Sequence, residues 1–122
     1  MKVLVVDDSS MMRKVMIGAL GRFGTSDVTQ AGDGDEAVAA VGKEAFDLVL
    51  MDWNMPNMTG IDALKAIRSG GHTMPIIMVT TEAEKSRVME ALKSGANSYV
   101  IKPFQPEMLV QRIQQVMEKK AA

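Results

Sequence analysis

Five short apolar runs recur along the chain, and helix-like segments separate them. The runs occupy residues 3–6, 28–31, 48–51, 76–79 and 99–101. Four of them are near-continuous Val, Ile, Leu and Met, which is typical of strands buried on both faces. Alternation of strand and helix repeated five times predicts an α/β fold, in which helices cover both faces of a doubly wound parallel sheet.

Local signals for helix ends lie between these runs. Ser9 or Ser10 is suited to cap the first helix, because a serine hydroxyl can accept a hydrogen bond from a free backbone N–H. A helical segment over residues 82–94 closes on Gly95, where we expect a left-handed glycine. Pro106 suits the first turn of the last helix.

Length and composition predict one ordinary globular domain over residues 1–122, with no attached output domain. The chain is 47% hydrophobic and 24% charged, and it contains no cysteine. The absence of cysteine fits a reducing compartment, and no apolar stretch reaches the roughly 20 residues that a membrane span needs, so we expect a cytoplasmic protein. The net charge is −1 without a recurring basic stripe, which argues against nucleic acid as a partner.

Polar side chains follow four of the five runs. Asp7 and Asp8 follow the first run, Asp52 follows the third, Thr80 follows the fourth and Lys102 follows the fifth. Because the carboxyl ends of parallel strands share one edge of a sheet, we expect these side chains to converge there. The predicted site therefore holds three carboxylates, one hydroxyl and one ammonium.

This set of groups restricts the chemistry of the site. Three close carboxylates repel one another, and a hard cation such as Mg²⁺ relieves the repulsion while binding one or two of them directly. The Lys102 ammonium suits an anionic group, and the Thr80 hydroxyl can donate a hydrogen bond to it. The anion that matches best is a phosphoryl group, whose transfer depends on positioning and charge neutralisation. A carboxylate can serve as the nucleophile.

The order of these residues resembles that of the receiver domains of two-component response regulators. The resemblance spans nearly the whole chain and rests on Asp7-Asp8, Asp52-Trp53-Asn54-Met55-Pro56-Asn57-Met58, Gly60, Val79-Thr80 and Tyr99-Val100-Ile101-Lys102-Pro103-Phe104. The segment that begins at Asp52 is most similar to the single-domain chemotaxis regulators of this family. The family implies a flavodoxin-like sheet with strand order 2-1-3-4-5 and five helices.

The resemblance also implies a metal site with Asp52 as the phosphoacceptor. Asp8 and Asp52 would bind Mg²⁺ directly, together with the backbone carbonyl of Asn54. Asp7 would act on the ion mainly through water.

The remaining site residues would respond to the phosphoryl group. Lys102 would pair with the acceptor and then with the phosphoryl oxygens. Thr80 would move toward the phosphoryl group, and Tyr99 would turn inward behind it. We expect a cis peptide bond before Pro103, and we expect Trp53 to be a partly exposed neighbour of the site.

Two positions depart from the family pattern. Thr81 stands where a small residue is usual, and its β-branched side chain would narrow access to the phosphoryl group. Glu84 replaces a lysine that the chemotaxis regulators carry on their output surface, although Lys85 and Arg112 keep basic character nearby.

The function implied is a stand-alone regulator rather than an enzyme, with only self-phosphorylation from small phosphodonors and self-dephosphorylation. A CheA-like histidine kinase would phosphorylate it, and it would signal through the face of helix 4, strand 5 and helix 5. The expected target is the flagellar motor switch or another protein, with a separate phosphatase as a further partner. We expect a monomer without membrane contact.

Two alternatives stay open. A phosphorelay intermediate would pass the phosphoryl group from Asp52 to a histidine phosphotransfer protein. An aspartate-nucleophile phosphatase would turn over phosphate esters, but such enzymes usually carry a second acid two residues after the nucleophile, where this chain has Asn54.

Overall fold

The computed structural model describes residues 1–25 and 27–121, which form a five-stranded sheet with five helices. The strands are β1 (Lys2–Val6), β2 (Asp27–Ala31), β3 (Leu48–Met51), β4 (Ile76–Thr80) and β5 (Ser98–Ile101). The helices are α1 (Ser10–Phe23), α2 (Gly34–Lys43), α3 (Gly60–Ser69), α4 (Lys85–Lys93) and α5 (Pro106–Ala121). Every strand lies within one residue of its predicted run at each end.

The strands pair in parallel in the order β2-β1-β3-β4-β5, which confirms the predicted topology. Successive strand residues face opposite layers: Leu4 packs in the layer under α2 and α3, whereas Val5 packs in the layer under α1 and α5. Both residues are fully buried. The central strands are continuously apolar because both of their faces are covered.

The register of the sheet brings the ends of its central strands level. Val6 at the end of β1 pairs with Met51 at the end of β3. The backbone N–H of Asp52 then donates to the carbonyl oxygen of Val6 at 2.9 Å, and that of Asp7 donates to Ala31 at 3.1 Å. The two aspartates that follow β1 and β3 are therefore fixed side by side by the backbone.

Helix ends follow the local signals. Of the two candidate caps, Ser9 is the one used, because its hydroxyl accepts from the backbone N–H of Met12 at 3.2 Å. Gly95 adopts the left-handed conformation, with φ of 113°, as predicted after α4. Within residues 1–25 and 27–121, every helix is too short or too polar to cross a bilayer.

The predicted start of the fourth helix was wrong by three residues, since α4 begins at Lys85. The preceding backbone is engaged in other contacts. The N–H of Glu82 donates to the Thr80 hydroxyl at 3.2 Å, and the Glu82 carbonyl accepts from the Tyr99 hydroxyl at 2.7 Å. These bonds hold Glu82 in an extended connection at the carboxyl edge of the sheet.

Candidate functional site

The structure brings the predicted carboxylates together at the carboxyl edge of the sheet. One oxygen from each of Asp7, Asp8 and Asp52 lies within 4.8 Å of the others. Asp7 and Asp52 are buried, whereas Asp8 is exposed. A cation at this point would meet two oxygens from inside the protein and one from the solvent side.

A single ammonium lies between the two buried carboxylates. The Nζ atom of Lys102 is 2.7 Å from Asp7 Oδ2 and 3.2 Å from Asp52 Oδ2. The Lys102 side chain is only 11% exposed, so these contacts are poorly screened by water. The cluster nevertheless holds three carboxylates against one ammonium, and it keeps a surplus of negative charge.

The Asp52 carboxylate shows the effect of this surplus. Its Oδ1 accepts the backbone N–H of Trp53 at 2.7 Å, while Lys102 approaches Oδ2. Burial raises the pKa of Asp52 and the charge of Asp7 raises it further, and these effects outweigh the opposing charge of Lys102. The ionised group is therefore short of positive charge, which is the condition that a divalent cation relieves. The donor set fits Mg²⁺.

Lys102 remains an ammonium despite its burial. Burial acts to lower its pKa, but the hydrogen bond to Asp7 and the charges of Asp52 and Asp7 outweigh that effect. The pKa of Lys102 therefore lies above its ordinary value. A fixed positive charge is available at the cluster throughout the physiological range of pH.

Thr80 lies at the end of β4 and is fully buried. Its hydroxyl favours the ionised form of Asp52, and so acts to lower the pKa of that carboxyl. Thr81, by contrast, is exposed. Its effect on access to the site stays a prediction.

Gly60 is required by the close approach of two backbone segments. A Cβ atom at this position would lie 1.7 Å from the carbonyl oxygen of Asp52, and no side chain can occupy that space. The Gly60 N–H also donates to the Trp53 carbonyl at 2.8 Å. The glycine therefore lets helix α3 begin directly against Asp52.

Two residues at the rim of the site, one after β3 and one on β5, form hydrogen bonds to Glu82 in the segment between β4 and α4. The Asn54 side chain is exposed, and its Nδ2 donates to Glu82 Oε1 at 3.1 Å. Tyr99 is half-buried, and its hydroxyl donates to the Glu82 carbonyl at 2.7 Å. Burial and the charges of Glu82 and Asp52 raise the pKa of Tyr99 to about 12. The metal-binding role of the Asn54 carbonyl stays a prediction.

The expectation that Trp53 would be partly exposed was wrong, since the residue is only 4% exposed. The guanidinium of Arg87, on α4, covers it at 5.6 Å from the ring centroid. This contact depends on how α4 packs against the β3–α3 connection, which no local pattern reports. The Lys102–Pro103 peptide bond is cis, as predicted.

Asp33 was not predicted to contact the loop after β3. Its carboxylate accepts a hydrogen bond from the Asn57 side chain at 2.7 Å. An aspartate before a helix is the ordinary signal for an N-cap, and that signal was present. The partner 24 residues away was not detectable, because asparagine is common in turns for local reasons.

Comparison with known proteins identifies this arrangement. A family model described as "Response regulator receiver domain" matches residues 3–114. Chemotaxis protein CheY of Pseudomonas aeruginosa is 40% identical over 98% of this chain and 98% of its own length. Chemotaxis protein CheY1 of Helicobacter pylori is 46% identical over 96% of this chain and 97% of its own length.

Solved structures show the same similarity in three dimensions. The receiver domain of the Francisella response regulator 1452 superposes with a TM-score of 0.90 at 31% identity, covering 98% of each chain. Chemotaxis protein CheY4 of Vibrio cholerae superposes with a TM-score of 0.86 at 40% identity, covering 94% of this chain and 97% of its own. The similarity in each case extends over almost the whole of both chains.

Proposed function

The chain belongs to the response regulator receiver domain family, and on that premise we propose that it is a chemotaxis switch phosphorylated on Asp52. The observation that carries the proposal is the Lys102 ammonium, held 2.7 Å from Asp7 and 3.2 Å from Asp52 inside a buried acidic cluster. The surplus of negative charge in this cluster favours a divalent cation, and with that cation bound Lys102 would supply a further positive charge for the phosphoryl oxygens.

The residues that would hold Mg²⁺ are Asp8 and Asp52, with the Asn54 backbone carbonyl and with Asp7 acting through water. When bound, Mg²⁺ supplies neutralising charge for the acceptor carboxylate and the phosphoryl oxygens. The raised pKa of Asp52 supports this assignment, because burial and the charge of Asp7 outweigh the charge of Lys102 there.

In the transfer step, an Asp52 carboxylate oxygen attacks the phosphorus of a phosphohistidine on a CheA-like kinase. The new O–P bond forms as the P–N bond breaks, and the histidine ring keeps the electron pair of that bond. Lys102 holds the phosphoryl oxygens through its ammonium, and the buried Thr80 hydroxyl donates a hydrogen bond to them. Neither residue has to change protonation, since the pKa of Lys102 lies above its ordinary value.

The output surface in this proposal is the face formed by α4, β5 and α5. A groove of about 320 Å³ runs along β5 and the start of α5, and Tyr99 lines it. Four apolar side chains around this face are about 40% exposed, namely Met89, Leu92, Ile101 and Met108. These side chains provide apolar contact area for a protein partner on this face. A segment of the flagellar motor switch is the target that the chemotaxis relatives favour.

Phosphorylation would act on this face through Tyr99. Its hydroxyl bonds the Glu82 carbonyl two residues after Thr80, so a shift of Thr80 toward the phosphoryl group changes the surroundings of Tyr99. The switch works to the extent that the phosphoryl group and the partner favour the same conformation. We place this monomeric switch in the cytoplasm, with a separate phosphatase protein to shorten the signal.

Catalytic turnover of phosphate esters is not part of the proposal. Asn54 stands where an aspartate-nucleophile phosphatase needs an acid, and its amide is directed toward Glu82. An amide cannot transfer protons as a general acid or base at ordinary pH. We therefore expect at most one phosphoryl group per chain, lost by slow hydrolysis.

Binding of a motor-switch peptide tests the function and separates it from the phosphorelay alternative. Acetyl phosphate with Mg²⁺ should tighten peptide binding by about 5- to 150-fold, the range of typical coupling between two sites. Asp52→Asn should show no such increase. Rapid transfer to a histidine phosphotransfer domain, without any change in peptide affinity, would support the phosphorelay instead.

A further inference from the structure

We propose that Asp33 and Asn57 are positioning residues that hold the β3–α3 loop, and with it the Mg²⁺ site, against the start of helix α2. The loop comprises residues 52–59, between the end of β3 and the start of α3. The inference rests on the Mg²⁺ site proposed above, and it assigns a part in that site to a helix that contributes no carboxylate to the acidic cluster.

The two carboxylate oxygens of Asp33 accept hydrogen bonds from different elements, one from helix α2 and one from the β3–α3 loop. Its Oδ1 accepts the backbone N–H of Glu36 at 2.8 Å and so caps α2. Its Oδ2 accepts the side-chain amide of Asn57 at 2.7 Å. Both hydrogen bonds lower the pKa of Asp33 below its ordinary value, and the bond from Glu36 has the larger effect. The residue is therefore ionised. Capping needs only the first oxygen, and the second is free to fix the loop.

Asn57 combines an uncommon backbone conformation with this side-chain contact. Among residues 1–25 and 27–121 it is the one non-glycine residue with positive φ, at 67°. Glycine adopts this conformation more easily than any other residue, and asparagine adopts it more easily than most. A glycine would therefore satisfy the backbone here, whereas only a side-chain amide reaches Asp33.

A second contact joins the same two elements through their backbones. The N–H of Gly34 donates to the Met58 carbonyl at 3.1 Å. A Cβ atom on Gly34 would lie 2.5 Å from that carbonyl oxygen, so α2 meets the loop at a distance that excludes a side chain. The far end of the loop is fixed independently, where Gly60 donates to Trp53.

The loop is thus held at both ends, and Asn54 lies between them. Its backbone carbonyl is the one proposed metal ligand that is not a side-chain carboxylate. The position of this ligand therefore depends on the conformation of the loop. Mg²⁺ demands nearly ideal octahedral geometry, so its affinity depends on how firmly each ligand is held. Loss of the Asp33–Asn57 bond would loosen the loop and weaken Mg²⁺ binding without removing any ligand.

Two single variants cut the bond while leaving each backbone able to keep its conformation. Asp33→Ser keeps an N-cap hydroxyl for Glu36 but is too short to reach Asn57. Asn57→Gly keeps positive φ without strain but lacks the amide. The paired exchange of Asp33→Asn with Asn57→Asp retains one donor, one acceptor, the helix cap and the net charge, with their places reversed.

Mg²⁺ affinity, measured by isothermal titration calorimetry on the full chain without phosphodonor, tests the inference. Each single variant should bind Mg²⁺ about 3- to 10-fold more weakly, below the 10- to 100-fold typical of a direct partner of a ligand. The double variant Asp33→Ser with Asn57→Gly should be no weaker than the poorer single variant, because both remove one bond. The paired exchange should return to within about twofold of the wild type.

Thermal unfolding without Mg²⁺, measured in parallel, separates positioning from ordinary stabilisation. Unchanged Mg²⁺ affinity in variants that only melt at a lower temperature would overturn the inference and leave the proposed function intact. Additive losses in the double variant, or no recovery in the paired exchange, would overturn it as well. A wild-type chain that bound no Mg²⁺ would overturn the proposed metal site and this inference together.

Discussion

At the amino edge of the sheet, Lys2 meets Glu44 at 2.8 Å with both side chains partly exposed, and its backbone N–H donates to Asp47. At the carboxyl edge, Asp7 and Asp52 share one ammonium while both are buried. The same sheet therefore carries charge in two ways. The amino-edge pair has one positive and one negative charge, and both are partly exposed to solvent. The carboxyl-edge cluster has more negative than positive charge, and its paired groups are buried.

Arg68 extends the contrast at the amino-edge side of the molecule. Its guanidinium donates to the backbone carbonyls of Gly95 and His72, and so joins the end of α3 to two loops. Each of these donors meets a neutral backbone oxygen, so the bonds join segments of the fold without bringing charges together. The carboxyl edge instead keeps negative charge that only an added cation can offset. Surplus charge, rather than charge itself, therefore distinguishes the carboxyl edge from the amino edge.

Glycine substitutions at the two edges should give the largest difference in the free energy of unfolding. Gly60→Ala places a methyl group 1.7 Å from the Asp52 carbonyl oxygen, and we expect a loss of about 3–5 kcal/mol in the free energy of unfolding. Gly42→Ala, on α2 toward the amino edge, meets no atom within 4 Å and should gain about 0.5–1 kcal/mol. Urea unfolding measures both, and similar values for the two variants would contradict the close approach at Gly60.

Removal of a lysine from each edge should affect the rate of phosphorylation very differently. Lys102→Met removes the charge that holds the phosphoryl oxygens, and phosphorylation by acetyl phosphate should slow by about 10²- to 10³-fold. Lys2→Met removes a partly exposed ion pair, and it should leave the rate unchanged at a cost below about 1 kcal/mol. The initial rate of phosphorylation at saturating Mg²⁺ decides this, with circular dichroism to verify folding. Equal losses in both variants would show that the Lys102 ammonium has no special part.

The two edges should also differ in how their charged groups make stability depend on pH. The pKa of Asp52 is raised in the folded protein, so between its unfolded and folded pKa values the folded state binds more protons. Stability contributed by this group therefore falls as pH rises through that window. Asp52→Asn removes the penalty while Lys102 keeps Asp7, and we expect it to stabilise the Mg²⁺-free protein by about 1 kcal/mol at neutral pH.

Two further conditions control that prediction. The gain from Asp52→Asn should vanish at acidic pH, where the wild-type carboxyl is protonated, and it should shrink when Mg²⁺ is added. Asp47→Asn makes the same chemical change at the amino edge and should not stabilise the protein. Thermal unfolding across pH provides the measurement, and a destabilised Asp52→Asn at neutral pH without Mg²⁺ would contradict the surplus of charge.

The smallest expected effect is on the titration of Tyr99, the single tyrosine of the chain. Burial and the charges of Glu82 and Asp52 raise its pKa to about 12, so tyrosinate absorbance should show a midpoint near that pH. Asp52→Asn should lower the midpoint slightly, because it removes one of the charges. A midpoint at the ordinary value of about 10 would mean that the negative charge at the carboxyl edge does not act on Tyr99.

The sheet and the convergence of the site were predictable because they depend on short-range patterns. Residues 48–51 are buried on both faces, so their continuous apolar run coincides with β3 without error. Asp52 could then be placed at the carboxyl edge by topology alone. The family resemblance added the strand order and the assignment of roles, which no run of residues carries by itself.

The features that escaped prediction depend on contacts between distant segments. The late start of α4 follows from bonds that Thr80 and Tyr99 make to Glu82, and a helical pattern over residues 82–84 does not reveal them. Trp53 is buried as part of the core cluster between the sheet and helices α2 and α3, and Arg87 lies over its ring, although the residue stands beside a polar site. Local propensity gives way to tertiary packing in both places.

Metal-dependent phosphorylation of Asp52 is best tested by the intact mass of the chain after incubation with acetyl phosphate, with Mg²⁺ or with a chelator. We expect the addition of one phosphoryl group in the presence of Mg²⁺, little or none in the chelator, and none in Asp52→Asn under either condition. Peptide mapping should place the group on Asp52. Equal addition to Asp52→Asn, or addition that ignores Mg²⁺, would contradict the assignment of the carboxyl edge as a metal-dependent phosphoacceptor.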